Sequence, residues 1–372
     1  MSDRKYKSGK HFLQLPGPSN VPDRILNAMC YPTIDHRGTE FSELALKCLG
    51  GIKTIFKTKN PVIIFPASGT GAWEAALVNT LNDGDNVLMV ETGHFASLWN
   101  NMAQKLGLQV ELLETDWRQG LNPNEIEKRL RLDVDKKIKA VCIVHNETST
   151  GCASNVKAVR DILDNLNHDA LLMVDTISGL ASINYEHDKW GVDITISGSQ
   201  KGLMLPPGLS FNAISEKAIN ISNNSNLRKS YWDWAEHLEF NKTGFFPYTP
   251  ATNLLFGLKE AINMLHEEGL NNVFKRHARY SKATRIAVEA WGLEVYCQND
   301  ESFSDVLTAV LLPKNKDADQ LRKIVLENFN MSLGNGLSKL KGKIFRIGHL
   351  GDFNDISLLG ILSGIEMGLD LM

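Results

Sequence analysis

Short apolar runs recur through the first half of the chain, and segments of helical spacing separate them. The runs are VIIF (Val62 to Phe65), NVLMV (Asn86 to Val90), AVCIV (Ala140 to Val144), LLMVD (Leu171 to Asp175) and ITIS (Ile194 to Ser197). A run that stays apolar instead of alternating suits a strand buried on both faces. Between them, Gly71 to Leu81, the stretch after Gly93, and Asn155 to Leu166 carry helix-spaced apolar residues. An earlier helix is predicted from Asp23, after the Pro- and Gly-rich stretch Leu15 to Pro22, which forbids regular structure. The pattern predicts an α/β fold: a large domain whose mostly parallel, mixed sheet is sandwiched by helices. Ligands in such sheets sit at the carboxyl ends of the strands, which directs attention to the residues just after each run.

The pattern changes in the last third. The polar stretch ISNNSNLRKS after Asn220 reads as a loop, and long helices are predicted over Thr252 to Gly269 and Asn272 to Trp291. Strand-like LEVY, VLTAVLL and KIFRIG (Lys343 to Gly348) then mix with helices near Asp317 to Asn328 and from Asn354. The expected organisation is an N-terminal arm over 1–22, a large domain over 23–269 and a smaller C-terminal α+β domain over 270–372.

Composition narrows the functional classes. The chain has 372 residues and 43% hydrophobic content, enough for a sizeable core in two domains or in one large domain with an appendage. A net charge of -3, with no long run of one sign, gives no reason to expect nucleic acid or an anionic membrane as partner. No apolar stretch reaches the roughly 18 residues of a membrane-spanning helix. The first ten residues are polar and basic, unlike a secretory signal. Cys30, Cys48, Cys142, Cys152 and Cys297 lack CxxC spacing; they read as reduced thiols of a cytoplasmic protein, with no zinc site.

Several strand ends carry residues suited to chemistry. Ser68, Gly69, Thr70 and Gly71 stand where a helix begins, and small residues there let backbone N–H groups close on an anion. A capped helix with a tight turn explains them equally well. Asp175 ends an apolar strand, where a carboxylate is costly unless it meets a cation; a helix cap or a salt bridge would also account for it. Lys201 follows the next strand amid Leu203, Met204 and Leu205, and partial dehydration would lower its pKa and suit it to bond a carbonyl carbon. Taken alone it is an ordinary loop lysine. Phe95 follows Gly93-His94, where an aromatic can stack on a ring. The hydroxyls of HNETSTG (His145 to Gly151) follow another strand, where a turn with side-chain-to-backbone bonds explains them equally well, and Arg346 in KIFRIGHLG can fork onto a carboxylate or form a structural salt bridge. An anion cradle, a carboxylate and a lysine on one sheet edge are what a pyridoxal-phosphate (PLP) site needs.

In order and spacing, PGPSNVP, DHRGTEF, SGTGAWEAAL, HNETSTG, VDTISGLAS, SGSQKGLMLPPGL, PYTPATN and FRIGHLG resemble the class V, fold type I PLP-dependent aminotransferases, specifically the glyoxylate aminotransferases. The resemblance spans nearly the whole chain. It implies a fold type I PLP-transferase and a homodimer with active sites at the subunit interface. Catalysis would fall to Lys201, covalently bonded to PLP, and Asp175, on the pyridine nitrogen. Ser68, Gly69, Thr70 and Gln200 would hold the phosphate, Phe95 and Ile177 would flank the ring, and Thr148 would approach its hydroxyl. Thr249 would reach the neighbouring subunit's phosphate, and Arg346 would bind the substrate carboxylate. Where alanine–glyoxylate enzymes carry a tyrosine three positions before that threonine, this chain has Phe246, with Tyr248 as a possible replacement. The implied reaction moves an amino group from a small amino acid to glyoxylate. Serine is the favoured donor, from the QKGLMLPPG and DHRG segments, with alanine and aspartate as alternatives and a PLP-dependent lyase as a more distant one. A nucleotide-binding α/β protein is disfavoured, since no GxGxxG follows the first strand. Cys297 lies well before the Arg346 segment, which argues against the persulfide chemistry of the desulfurase relatives.

Overall fold

The computed structural model describes residues 8–372, so the first seven residues of the expected N-terminal arm, and most of the stretch read against a secretory signal, lie outside it. At its centre is a seven-stranded sheet. In spatial order its strands are Val62–Phe65, Ser210–Ile214, Ile194–Gly198, Leu171–Asp175, Ile138–Val144, Asn86–Glu91 and Gln109–Glu114. Neighbours from Ile194–Gly198 to Gln109–Glu114 pair in parallel, whereas Ser210–Ile214 runs antiparallel to both of its neighbours. The five apolar runs are all strands. Ser210–Ile214 and Gln109–Glu114 are two strands that the run pattern does not mark. SFNAI carries a buried serine and asparagine, and Gln109–Glu114 is partly exposed along its length.

Residues of one strand alternate between two cores, as the pleat requires. Val62, Ile64, Leu88, Val90, Val141, Ile143, Leu172 and Val174 face one core, shared with the helices Thr39–Phe56, Val156–Asn165 and Thr252–Glu268. Ile63, Phe65, Val87, Met89, Ala140, Cys142, Leu171 and Met173 face the other, with the helices Gly69–Thr80 and His94–Lys105. The helix predicted from Gly71 starts at Gly69, because Ser68 is already its extended N-cap. The stretch expected as loop after Asn220 begins inside a helix, Glu216–Ser222, whose Ser215 side chain caps the Ala218 N–H.

A second, five-stranded sheet has the order Phe12–Gln14, Met331–Asn335, Ile344–Gly348, Leu307–Leu311, Glu294–Val295. Its first strand comes from the start of the described chain and pairs in parallel with Met331–Asn335. The helices Ala318–Phe329 and Asp355–Asp370 cover it through Leu321, Val325, Ile361 and Ile365. Among the described residues, no helix is long and apolar enough to cross a membrane, and no cluster of side chains could hold a metal ion.

Candidate active site

A cavity of about 220 Å³ opens at the carboxyl ends of the central strands. Ser68, Gly69, Thr70, Phe95, Thr148, Asp175, Ile177, Gln200 and Lys201 all line it. Trp73, Asn146, Ser178, Gly17 and Pro18 line it too, and none of these was singled out from the sequence.

One wall is the start of the helix Gly69–Thr80. Ser68 makes no side-chain cap bond, so it leaves the first N–H groups of the helix to whatever occupies the cavity. Glycine comes next and is closely packed: a Cβ on Gly69 would lie 2.4 Å from Ile177 Cδ1, so the Ile177 side chain would have to shift. Beside it, the Gln200 amide oxygen is buried without a partner, a place for a donor to fill.

The opposite chemistry comes from Asp175, 4% exposed at the end of its strand. One carboxylate oxygen accepts the Ile177 N–H at 2.6 Å and the other accepts the Trp73 indole N–H at 2.9 Å. Burial nevertheless pushes its pKa up to about 7. Lys201 is 8% exposed, and its Nζ donates to the Pro16 carbonyl at 2.5 Å. Burial, helped by the Arg346 cation, lowers the lysine to about 8 against the pull of Asp175 and Glu147.

Pro16 belongs to a strap, Leu15 to Asn20, laid over the lysine. Ser19 fastens it twice, its N–H to the Gln200 carbonyl at 3.0 Å and its hydroxyl to the Lys201 carbonyl at 2.8 Å. Gly17, at φ +104°, packs so closely that a Cβ would lie 2.3 Å from Lys201 Nζ.

Glu147 is fully buried. It accepts the backbone N–H groups of Phe95, Ala96 and Ser149 and the Ser149 hydroxyl, at 2.6 to 3.4 Å. It thus holds the first turn of the helix that carries Phe95. Gly93 makes room, since a Cβ there would meet Glu147 Cγ at 2.4 Å. A buried acid in a polar loop gives no pattern in a sequence, so Glu147 was not foreseen.

Arg346 and Thr249 do not line the cavity. Arg346, 6% exposed, stands behind Thr148, donating through Nη1 to the Thr148 carbonyl at 2.8 Å and through Nε to the Asn335 carbonyl at 2.7 Å. Burial brings its pKa down to about 10. Thr249 is exposed. The Tyr248 hydroxyl donates to Glu236 at 3.1 Å, and its ring stacks on Tyr231 with centroids 5.0 Å apart. Cys297 is buried beside its short strand, its thiol turned to the carbonyls of Asn299 and Ser302.

The family model for aminotransferase class-V matches residues 12–336. Over 98% of its length the chain is 47% identical to a serine–glyoxylate aminotransferase of Methylorubrum extorquens, covering 92% of that protein. It is 44% identical to the Arabidopsis thaliana enzyme of the same name, with the same two coverages. Among solved structures, an alanine–glyoxylate aminotransferase of Nostoc sp. superposes with a TM-score of 0.91 at 28% identity, over 99% of this chain and 98% of that one. With the α/β architecture of the fold type I enzymes and this match over most of its length, the chain belongs to the class-V aminotransferase family.

Proposed function

We propose that the protein uses pyridoxal phosphate to transfer the amino group of serine to glyoxylate, giving hydroxypyruvate and glycine. The observation that carries this reading is the convergence of a dehydrated lysine, a buried carboxylate and an open helix N-terminus on one cavity. Serine is favoured as donor because relatives at 47% and 44% identity bear that name.

The cavity suits the cofactor. The N–H groups at Gly69 and Thr70 and the side-chain NH2 of Gln200 would hold its phosphate, and Asp175 its ring nitrogen. Phe95 and Ile177 would flank the ring, and Thr148 would approach its hydroxyl. When bound, PLP supplies an aldehyde that bonds amines and a pyridinium ring that draws electrons from the substrate Cα. Asp175, ionised, would keep the ring nitrogen protonated. Lys201 Nζ would hold the cofactor covalently, and its uncharged amine, when free, would take the proton from substrate Cα. A lysine held near 8 is partly deprotonated at neutral pH, which an exposed lysine is not. Arg346 has five N–H bonds by its chemistry and two are engaged; the others can fork onto the substrate carboxylate. The strap over Lys201 limits water at the base.

Thr249 is exposed and away from its own chain's cavity, as suits a residue that serves a neighbouring subunit. The homodimer belongs to this proposal, and the mass of the protein in solution tests it.

Borohydride treatment in the presence of PLP should fix the cofactor to the native chain and not to Lys201→Ala. Labelling of that variant would overturn the assignment of the lysine. A donor panel with glyoxylate should give the highest kcat/KM for serine; a higher value for alanine or aspartate would reassign the substrate.

A further inference from the structure

We propose that Trp73 is a positioning residue for Asp175: its indole N–H fixes one carboxylate oxygen so that the remaining lone pairs face the cofactor's ring nitrogen. This inference rests on the reading that the cavity takes PLP.

The geometry is specific. A carboxylate offers about four acceptor sites. Two are filled, one on each oxygen, by donors of different origin: the backbone N–H two residues further on, at 2.6 Å, and the Trp73 side chain, at 2.9 Å. The terminal torsion of an aspartate is broad. The Ile177 bond alone would leave the carboxylate free to swing about it, and a second donor from another element removes that freedom.

Trp73 is itself immobile. It is 2% exposed and stacks on Trp99, with ring centroids 5.9 Å apart and planes within 14°. It also lies four residues after Gly69 on the same helix, so it projects from the same face as the helix start that opens on the cavity. One rigid helix therefore carries both an anion-binding terminus and the clamp on the acid. The distance between the two is set by helix geometry and not by a loop.

The residue type fits the task. An indole donates and cannot accept, so it never competes for the carboxylate's proton, and it favours the charged form. That effect opposes the burial which raises Asp175.

The test deletes the N–H without deleting the ring. Benzothienylalanine, in which sulfur replaces the indole N–H, is placed at position 73 of the full chain, beside Trp73→Phe. Cofactor-free protein is titrated with PLP and with the analogue that has carbon in place of the ring nitrogen. The expected result is PLP binding weakened about tenfold or more in both variants, on the scale of a hydrogen bond to a charged group, with the carbon analogue bound as by the native chain. Equal weakening for both ligands would mean that Trp73 only supports the fold. Unchanged PLP binding by the sulfur isostere would also overturn the inference. Borohydride fixation of PLP on the native protein reports separately on the functional reading, so a chain that takes up PLP normally while its isostere is indistinguishable defeats only the role of Trp73.

Discussion

Asp175 and Lys201 titrate away from their usual ranges for the same reason, burial, and the consequences for stability have opposite signs. The folded chain raises Asp175 from 3.8 to about 7, so it holds that proton more tightly than the unfolded chain does. The stability this contributes is complete below about pH 4 and is lost as pH rises to about 7. Lys201 is lowered from 10.5 to about 8; its contribution is present above about pH 10.5 and is lost as pH falls to about 8. In cofactor-free protein, Asp175→Asn should therefore gain stability relative to native as pH goes from about 4 to 7, and Lys201→Met as it goes from about 10.5 to 8. Denaturant midpoints across pH check both, and parallel profiles for native and variants would refute them. Asp175 and Lys201 were legible in the sequence because one ends an apolar strand and the other closely follows one, and strand ends converge in a parallel sheet. Trp73 was not. It looks like one more apolar residue of a buried helix, and only the packing of that helix against the strand end reveals what its N–H meets.

Elements differ in how plainly the chain announces them. Strands such as Leu171–Asp175, buried on both faces, give unbroken apolar runs. Ser210–Ile214 is just as buried, but Asn212 interrupts it, satisfied there by donating to the Ala72 carbonyl at 3.1 Å and accepting from the Trp234 indole at 3.2 Å. A tertiary bond that pairs a buried amide cannot be read from local pattern. The helix His94–Lys105 has a comparable hidden dependence, because its cap arrives from Glu147, some fifty residues later, instead of from its own N-cap. Glu147→Gln keeps one acceptor and removes the charge. It should lower stability by about 1–3 kcal/mol, as for hydrogen bonds to a charged group. It should also loosen Phe95, seen as faster amide exchange in the first turn of the helix. Unchanged exchange there would show that the carboxylate does not hold the turn.

At the scale of the whole molecule, the division read from the sequence follows the change from one hydrophobic pattern to another near residue 270. The strands of the central sheet lie within 62–214 and those of the second within 294–348, except that Phe12–Gln14 joins the second, which no local pattern could signal. The strap that follows it is seated by close backbone contact. A Cβ on Gly348 would lie 2.2 Å from the Leu15 carbonyl oxygen, whereas one on Gly50 meets nothing within 4 Å. Gly348→Ala should displace the strap, cost about 1–3 kcal/mol as overpacking does, and speed the reaction of Lys201 with a small amine-directed reagent. Gly50→Ala, in a helix interior, should be neutral or slightly stabilising. Equal behaviour of the two variants would mean the strap does not shield the lysine. The pairing of Phe12 with Met331 also imposes a schedule during synthesis. The strand that leads into the roof of the cavity is made first but finds its partner only after more than three hundred further residues have left the ribosome, about 15–60 s at ordinary elongation rates. Until then the strap has its bonds to Gln200 and Lys201 but no anchored strand behind it, and a nascent chain would meet aldehydes with the cover of that amine loosely held.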